Sequence, residues 1–271
     1  MSQCSILLCL CAIAGHAQDT LFYQSVKWSP DQKRIAVCVG ARHGRTNIFT
    51  GYVISMKPLR VEASFDNAFF PVFSPDGKSV AFSRKGPNKN SAIWRYNLAT
   101  GDSIPIVGAE FNNGGVGFSP DGRQICFTSN RGGKSAVYIA NSEDGAGIHR
   151  LNADTTAQYS PAWSPKGDKI VYYCAKGDGH DQVYVADLKN KGIAKRITGD
   201  STHNYYPSWG ADDHTIVFVT TDPAKKRRGC HRGLQYSNRR NPGQFQSERA
   251  LCIGFAGWEK DCIYGRQVPH F

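Results

Sequence analysis

The sequence predicts an all-β fold, a six-bladed β-propeller built from four-stranded antiparallel blades. Three observations support this prediction. A hairpin motif occurs five times, the aromatic residues that anchor the copies are separated by 45, 45, 45 and 46 residues, and each interval has room for two further short strands. Four strands in about 45 residues are typical of one propeller blade. The anchors are Trp28, Phe73, Phe118, Trp163 and Trp209.

The second copy, "FSPDGKSVAFS" at residues 73–83, shows why the motif favours a hairpin. Pro75 sets the φ angle for the first central position of a type I turn, and Asp76 suits the next position. Gly77 tolerates the positive φ that often follows in a hairpin. The flanking residues alternate between apolar and polar, with β-branched and aromatic side chains frequent, as in a half-buried strand. Each copy therefore supplies the first two strands of a blade.

Two further strands complete a copy, as in "AVYIAN" at 136–141 and "HRLN" at 149–152. A sixth copy is expected around Phe255, where "FAGWEKDCIYG" keeps an aromatic residue, a polar turn and an apolar strand. The repeats are clear over residues 22–221. Residues 222–271 are interpreted as a degenerate or incomplete sixth blade, and the alternative for this tail is a truncated or frame-shifted end.

Stacked blades bury both faces of each sheet, so the anchors are expected to pack between adjacent sheets. The ring must also close, because an open strand edge invites aggregation. The segment "TLFYQSV" at residues 20–26 is the candidate for this closure, as an outer strand paired with the sixth blade.

The first 17 residues contain no Lys, Arg, Asp or Glu, hold an apolar run and end on a small-x-small pattern. This pattern is typical of a secretory signal peptide cut before Gln18. The domain prediction is therefore a signal peptide at 1–17 and a single propeller domain at 18–271, with a lipoprotein acylated at Cys11 as the alternative. The mature protein is expected in the periplasm, or outside the cell, with no transmembrane span.

Three of the cysteines outside the signal segment, Cys38, Cys126 and Cys174, lie in the apolar second arm of a hairpin. At such positions cysteine behaves as a small buried hydrophobe, so few disulfides are expected there. The sequence has no CxxC pair and no Cys/His cluster with zinc spacing, which argues against a structural zinc site.

The formal net charge is +11, and residues 222–271 carry ten basic and four acidic side chains. Nucleic acid is a common partner for so basic a chain. An exported location argues against nucleic acid and favours an acidic protein face or another acidic component of the envelope.

The motif at residues 118–145, "FSPDGRQICFTSNRGGKSAVYIANSEDG", resembles the repeat of the TolB-type six-bladed β-propellers. The resemblance covers residues 22–221. It implies a periplasmic propeller of the Tol–Pal envelope system, a system in which TolB carries an additional N-terminal domain. Only ten residues separate Gln18 from Trp28, so the resemblance is to the propeller alone. Related propellers also serve as lids of prolyl-oligopeptidase-like peptidases or act as lyases on pectic oligosaccharides.

Strand parity divides the loops between two ends of every blade. The Ser-Pro-Asp-Gly turns lie at one end, here called the turn face. The loops after each second strand and the connections into each new blade lie at the other end, here called the loop face. Polar loops on a rigid scaffold are the usual location of binding residues. The residues expected to contact a partner there are Arg42, His43, Arg84, Asn130, Arg131, His180, His203, Tyr205, Lys225 and Arg227.

Several of these residues have a structural alternative. Asn130 and Arg131 could stabilise their own loop through hydrogen bonds. His43, His180 and His203 could converge on a metal ion, but exposed loop histidines without a ligand are commoner, and neither a metal nor a cofactor is expected. Tyr205 and Tyr206 could stack on a sugar, although Tyr206 is expected to pack between blades. The cluster at 225–228 could be a solvated charge run.

No serine-hydrolase elbow, zinc-protease helix or nucleotide-binding glycine pattern occurs in the sequence. The function expected is that of an exported, non-catalytic, monomeric scaffold that binds a protein partner in the cell envelope. The alternative is a lyase or hydrolase acting on an acidic oligosaccharide, with His180, His203 and Arg131 at its site. A degenerate fragment without a ligand is a third hypothesis.

Overall fold

The computed structural model describes residues 21–41, 46–52, 60–175, 179–199, 202–221 and 232–237. These residues form 19 β-strands and one short 3-10 turn, Leu188–Asn190, so the predicted all-β class is confirmed. They divide into two compact units, one up to Arg150 and one from Leu151 onward.

The first unit contains three four-stranded antiparallel sheets, one for each of the first three repeats. Sheet 1 consists of β1 (Leu21–Trp28), β2 (Arg34–Ala41), β3 (Thr46–Tyr52) and β4 (Arg60–Asp66). Sheet 2 consists of β5 (Ala68–Phe73), β6 (Ser79–Lys85), β7 (Ser91–Asn97) and β8 (Ser103–Val107). Sheet 3 consists of β9 (Asn113–Phe118), β10 (Gln124–Gly132), β11 (Lys134–Asn141) and β12 (His149–Arg150).

The second unit contains the sheets of the fourth and fifth repeats, the latter with three strands among the described residues. Sheet 4 consists of β13 (Gln158–Trp163), β14 (Lys169–Ala175), β15 (Asp181–Asp187) and β16 (Ile193–Arg196). Sheet 5 consists of β17 (His203–Trp209), β18 (Thr215–Thr221) and β19 (Arg232–Ser237). The expected sixth copy around Phe255 lies outside the described residues.

The Ser-Pro-Asp-Gly turns have the predicted geometry. The Gly77 N–H donates to the Ser74 carbonyl at 2.9 Å, and Gly77 has a φ of 68°. The third and fourth copies repeat this with Gly122 and Gly167, at φ 74° each. Gln32 takes the same left-handed conformation in the first copy, at φ 58°. The turn backbone therefore persists where the glycine is lost.

The N-terminal segment that was expected to close the ring forms a strand of the first sheet instead. Leu21–Trp28 is the first strand of sheet 1 and pairs antiparallel with β2, with Leu21 opposite Ala41 and Trp28 opposite Ile35. The expectation of an outer strand of the sixth blade is therefore wrong. The reason is geometric: each first strand begins about five to seven residues before its anchor, so this segment is needed within its own sheet.

The anchors of the second and third repeats are buried between neighbouring sheets, as expected. Phe73 packs with Ala36 and Cys38 of sheet 1. Phe118 packs with Ala81 and Ile93 of sheet 2. Each of these two anchors thus packs on the sheet that precedes its own along the chain, and together with aliphatic side chains it forms the core of the first unit.

Trp28 departs from this pattern because its side chain is 42% exposed. An anchor packs on the preceding sheet, and no sheet precedes Trp28 among the described residues. In the second unit Trp209 packs against Val171 and Val183, and its indole N–H donates to the Ala162 carbonyl at 3.2 Å.

The cysteines of the hairpins are buried free thiols, as expected: Cys38, Cys126 and Cys174. Burial raises the pKa of the Cys126 thiol, which keeps it protonated and unreactive. No helix in the described part of the chain is long and apolar enough to cross a membrane.

Candidate functional site

The loop face carries every predicted site residue that the structure describes. Arg84 lies near the end of β6, Asn130 and Arg131 near the end of β10, and His203 and Tyr205 at the start of β17. His180 directly precedes β15. Four further predicted residues lie outside the described residues: Arg42, His43, Lys225 and Arg227.

Arg131 is a tightly held cation among the described loop-face residues of the first unit. Its guanidinium carbon lies 5.1 Å from the ring centroid of Tyr138, 5.5 Å from that of Phe127 and 5.6 Å from that of Phe111. A guanidinium over several aromatic faces is attracted by the negative charge of each ring face. The rings also withdraw the side chain from water, and this burial lowers the pKa of Arg131.

Hydrogen bonds fix the orientation of the same guanidinium. Its Nε donates to the Ser129 hydroxyl at 3.1 Å, and Nη2 donates to Asn113 Oδ1 at 3.4 Å. Asn113 is itself buried, and its amide donates to the carbonyls of Ser91 and Gly108. The head group is therefore pre-oriented before any ligand arrives.

Asn130 has the loop-stabilising contacts that formed its structural alternative. Its Oδ1 accepts the Asn112 N–H at 2.8 Å, and its carbonyl accepts the Gly133 N–H at 2.9 Å. Arg84 is held more loosely, with its guanidinium 5.3 Å from the Trp94 ring centroid. Of the predicted site residues, Arg131 is thus a rigid cation and Arg84 an adaptable one.

The second unit brings His180, His203 and Tyr205 together. His203 Nδ1 lies 3.1 Å from Asp181 Oδ2 and 3.2 Å from the Asp181 N–H, so it donates to the carboxylate or accepts from the amide according to its tautomer. The His180 ring centroid is 5.0 Å from that of His203. The Tyr205 ring stacks on that of His203, with centroids 5.8 Å apart and an interplanar angle of 9°.

Four tyrosines extend this group across sheets 4 and 5, and we call them the tyrosine cluster: Tyr159, Tyr173, Tyr205 and Tyr206. Tyr173 is the hub, because its ring lies 5.4 Å from Tyr159 and 5.8 Å from both Tyr205 and Tyr206. Burial raises the pKa of the Tyr173 hydroxyl, and Tyr206 and Asp181 add to the shift. Tyr173 therefore remains a neutral hydrogen-bond donor.

Tyr206 was expected to pack between blades, and that expectation is wrong because its side chain is 60% exposed. The cause is a β-bulge at the same place in four first strands, where the pairing register shifts. The bulge residue takes a left-handed φ: 55° at Phe70, 61° at Gly115, 49° at Ser160 and 49° at Tyr206. A bulge redirects the side chain at its position, and here the Tyr206 ring touches Tyr173 of sheet 4 while most of its surface stays exposed.

A row of buried amides at the start of the first strands was also missed. Asn113, Gln158 and Asn204 are spaced like the anchors and are at most 2% exposed. Asn204 Nδ2 donates to Gln182 Oε1, which also accepts the Thr198 hydroxyl. The 45- and 46-residue spacing of the three amides was the signal that could have revealed them.

Within the described residues, no group of three or more His, Cys, Asp or Glu side chains is close enough to hold a metal ion. His180 and His203 do lie together, but His43, the third histidine of the metal hypothesis, lies outside those residues.

Comparison with known proteins agrees with this architecture. A family model described as the TolB beta propeller domain matches residues 61–231. The uncharacterized peptidase YuxL of Bacillus subtilis is 32% identical over 114 residues, which are 40% of this chain and 17% of that protein. The Tol-Pal system protein TolB of Anaeromyxobacter dehalogenans is 30% identical over 93 residues, which are 34% of this chain and 21% of that protein.

The crystal structure of TolB from Acinetobacter baumannii superposes with a TM-score of 0.65 at 26% identity, covering 81% of this chain and 51% of that one. The matches thus span about half or less of each relative's own length. The family model, by contrast, covers more than half of the present chain. The chain therefore belongs to the TolB beta propeller domain family.

Proposed function

We propose that this chain is a non-catalytic binding propeller of the cell envelope that docks an acidic face of a protein partner on its loop face. The observation that carries the proposal is the pre-oriented guanidinium of Arg131, held by three aromatic rings, Ser129 and Asn113. A fixed guanidinium loses little conformational entropy when it meets a carboxylate, so it suits specific recognition.

Arg84 supports the proposal from sheet 2, where it lies close to the exposed Lys85 at the end of β6. The formal net charge of +11 gives the whole chain an attraction for acidic surfaces. Attraction of this kind accelerates association and is screened by salt.

A pull-down from envelope extract tests the proposal, with the purified chain as bait and cross-linking before washing. Captured protein is expected to fall by about tenfold between about 50 mM and about 500 mM NaCl. Arg84→Glu is expected to reduce capture at low salt. Arg123→Glu is the matched control, because Arg123 is exposed beside a turn-face hairpin and the charge change is the same. The proposal would be contradicted if the amount of captured protein did not depend on NaCl concentration, or if the two variants reduced capture equally.

A second candidate is an enzyme acting on an acidic oligosaccharide, and the pairing of His203 with Asp181 next to His180 favours it. A histidine oriented by a carboxylate is a common general base. The test is release of unsaturated product from polygalacturonate, with and without Mn²⁺. Activity that disappears in His203→Ala would support the enzyme and displace the non-catalytic proposal.

A further inference from the structure

The tyrosine cluster of the second unit has features that docking of an acidic protein face does not use. Tyr206 is 60% exposed and Tyr159 is 38% exposed, and both rings contact the ring of Tyr173. We propose that this cluster is a binding site for an uncharged oligosaccharide, with Tyr206 and Tyr159 as the platforms on which successive sugar rings rest. The inference goes beyond the proposed function and does not depend on it.

The packing of the rings determines the shape of the site. Their centroids are 5.4 to 6.0 Å apart, which is direct contact between neighbouring rings. No gap remains between them for an inserted side chain or an enclosed cation. Tyr205 and Tyr206 meet the Tyr173 ring edge-on, at interplanar angles of 83° and 77°, so each exposed ring offers a surface of its own. The C–H face of a pyranose with equatorial hydroxyls is a flat surface whose partly positive hydrogens suit the negative face of one tyrosine ring.

Polar groups beside the platforms match the hydroxyls of a sugar. Tyr173 keeps its hydroxyl proton, and His203 and Asp181 lie next to Tyr205. Sites for small ligands typically combine aromatic surface with a few such orienting groups.

The charge of the site argues for an uncharged ligand. Asp181 supplies a carboxylate next to the cluster, 3.1 Å from His203 Nδ1, and its charge helps to raise the pKa of Tyr173. This carboxylate would repel a uronic acid, whereas it would not repel an uncharged sugar. The site thus differs from the acidic-oligosaccharide site considered from the sequence.

The experiment is a titration of the whole chain with cellohexaose. Binding is measured by isothermal titration calorimetry and by saturation-transfer NMR on the sugar protons. Hexagalacturonate and hexaproline are the comparison ligands, because they represent an acidic sugar and a flat-sided peptide. Cellohexaose is expected to bind at least about tenfold more tightly than either.

Variants locate the site. Tyr206→Ala is expected to weaken cellohexaose binding by about tenfold or more, whereas Tyr206→Phe retains it within about threefold. Tyr206→Gly removes the ring while allowing the left-handed φ, so it serves if Tyr206→Ala folds poorly. Phe70→Ala is the matched control, because Phe70 is an exposed aromatic residue at the same bulge position in sheet 2.

Three results would overturn the inference. The first is no cellohexaose binding by the wild-type chain at millimolar sugar, and the second is tighter binding of hexagalacturonate or hexaproline than of cellohexaose. The third is unchanged cellohexaose binding in both Tyr206→Ala and Tyr206→Gly. Loss of partner capture with sugar binding intact would reject only the proposed protein-docking function.

Discussion

The serine of each Ser-Pro-Asp-Gly turn links the repeat motif to stability. The Ser119 hydroxyl donates to Asp121 Oδ1 at 2.6 Å and accepts the Gln124 N–H at 2.9 Å, and Ser119 is buried. Ser74 makes the same pair of contacts with Asp76 and Ser79. The hydrogen bond from the serine is the main cause that lowers the pKa of both aspartates. A backbone N–H lowers the pKa further, and partial burial opposes the shift.

We expect Ser74→Ala to lower the free energy of unfolding by about 1–2 kcal/mol at neutral pH, because the buried Ser79 N–H loses its side-chain partner. The Asp76 pKa should rise towards the unfolded value. A depressed carboxyl pKa stabilises the fold above the unfolded pKa, and this contribution is lost as pH falls through the folded pKa. The cost of the substitution should therefore be larger at pH 7 than in strong acid.

Urea unfolding of both proteins across pH, with NMR titration of Asp76, provides the measurement. Ser103→Ala is the control, because Ser103 is exposed. An equal cost at pH 7 and in strong acid would show that the serine does not act through the aspartate.

Arg131 should contribute to folding as well as to binding. We expect Arg131→Met to lower the free energy of unfolding by about 2 kcal/mol, because three ring contacts and two hydrogen bonds are lost while the apolar stem is kept. Arg84→Met, which loses its contact with the Trp94 ring, should cost less than about 1 kcal/mol. Chemical denaturation compares the two variants, and equal costs would contradict a structural role for the Arg131 stack.

Glycines in the connections between third and fourth strands lie against backbone carbonyls of other segments. Gly145, at φ 70°, lies so close to the Ile106 carbonyl of sheet 2 that an added Cβ would be 1.7 Å from its oxygen. Gly192 approaches the Leu151 carbonyl in the same way, with a Cβ distance of 2.2 Å. Gly101 has a similar φ of 80°, but its Cβ would be 3.9 Å from the nearest atom, the Tyr96 hydroxyl.

This difference separates backbone strain from steric overlap. We expect Gly101→Ala to cost about 1 kcal/mol, from the left-handed φ alone. Gly145→Ala should cost at least about 2 kcal/mol more, because the Ile106 carbonyl must move out of the core contact. Thermal and urea unfolding of both variants measures this, and similar costs would mean that the close approach of sheets 2 and 3 is not maintained in solution.

The sequence predicted the hairpins well because their turns depend on local chemistry: Pro75, Asp76 and Gly77 each favour their observed conformation. The bulge in the first strands was not predictable, because Phe70 and Tyr206 adopt a left-handed φ without being Gly or Asn. Their conformation is imposed by pairing on both sides of the bulge, which is tertiary information. The exposure of Tyr206 follows from this bulge.

The sequence predicted where the residues of the candidate site lie, but it did not predict which side chains they contact. Strand parity alone placed Arg131 and His203 on the loop face, and the structure agrees. The aromatic stack around Arg131 and the contact of His203 with Asp181 depend on side chains that are 4 to 22 positions away in sequence. Such contacts form only when the strands are aligned, so the sequence motif alone did not predict them.

The molecule as a whole combines a repeated scaffold with two differently equipped loop-face regions. In the first unit a rigid guanidinium is surrounded by rings, and in the second unit a tyrosine cluster adjoins a histidine–aspartate pair. Membership of the TolB beta propeller domain family accounts for the repeat, and these side chains account for the binding functions proposed. The central claim is that a partner meets the loop face and not the turn face.

Site-specific photo-crosslinking in living cells tests this claim directly. Lys85 and Lys78 are both exposed and lie at opposite ends of β6, so a photoreactive residue at each position samples the two faces of one sheet. We expect a discrete cross-linked protein from position 85 and little from position 78. Efficient cross-linking from position 78, with none from position 85, would place the partner on the turn face and contradict the account.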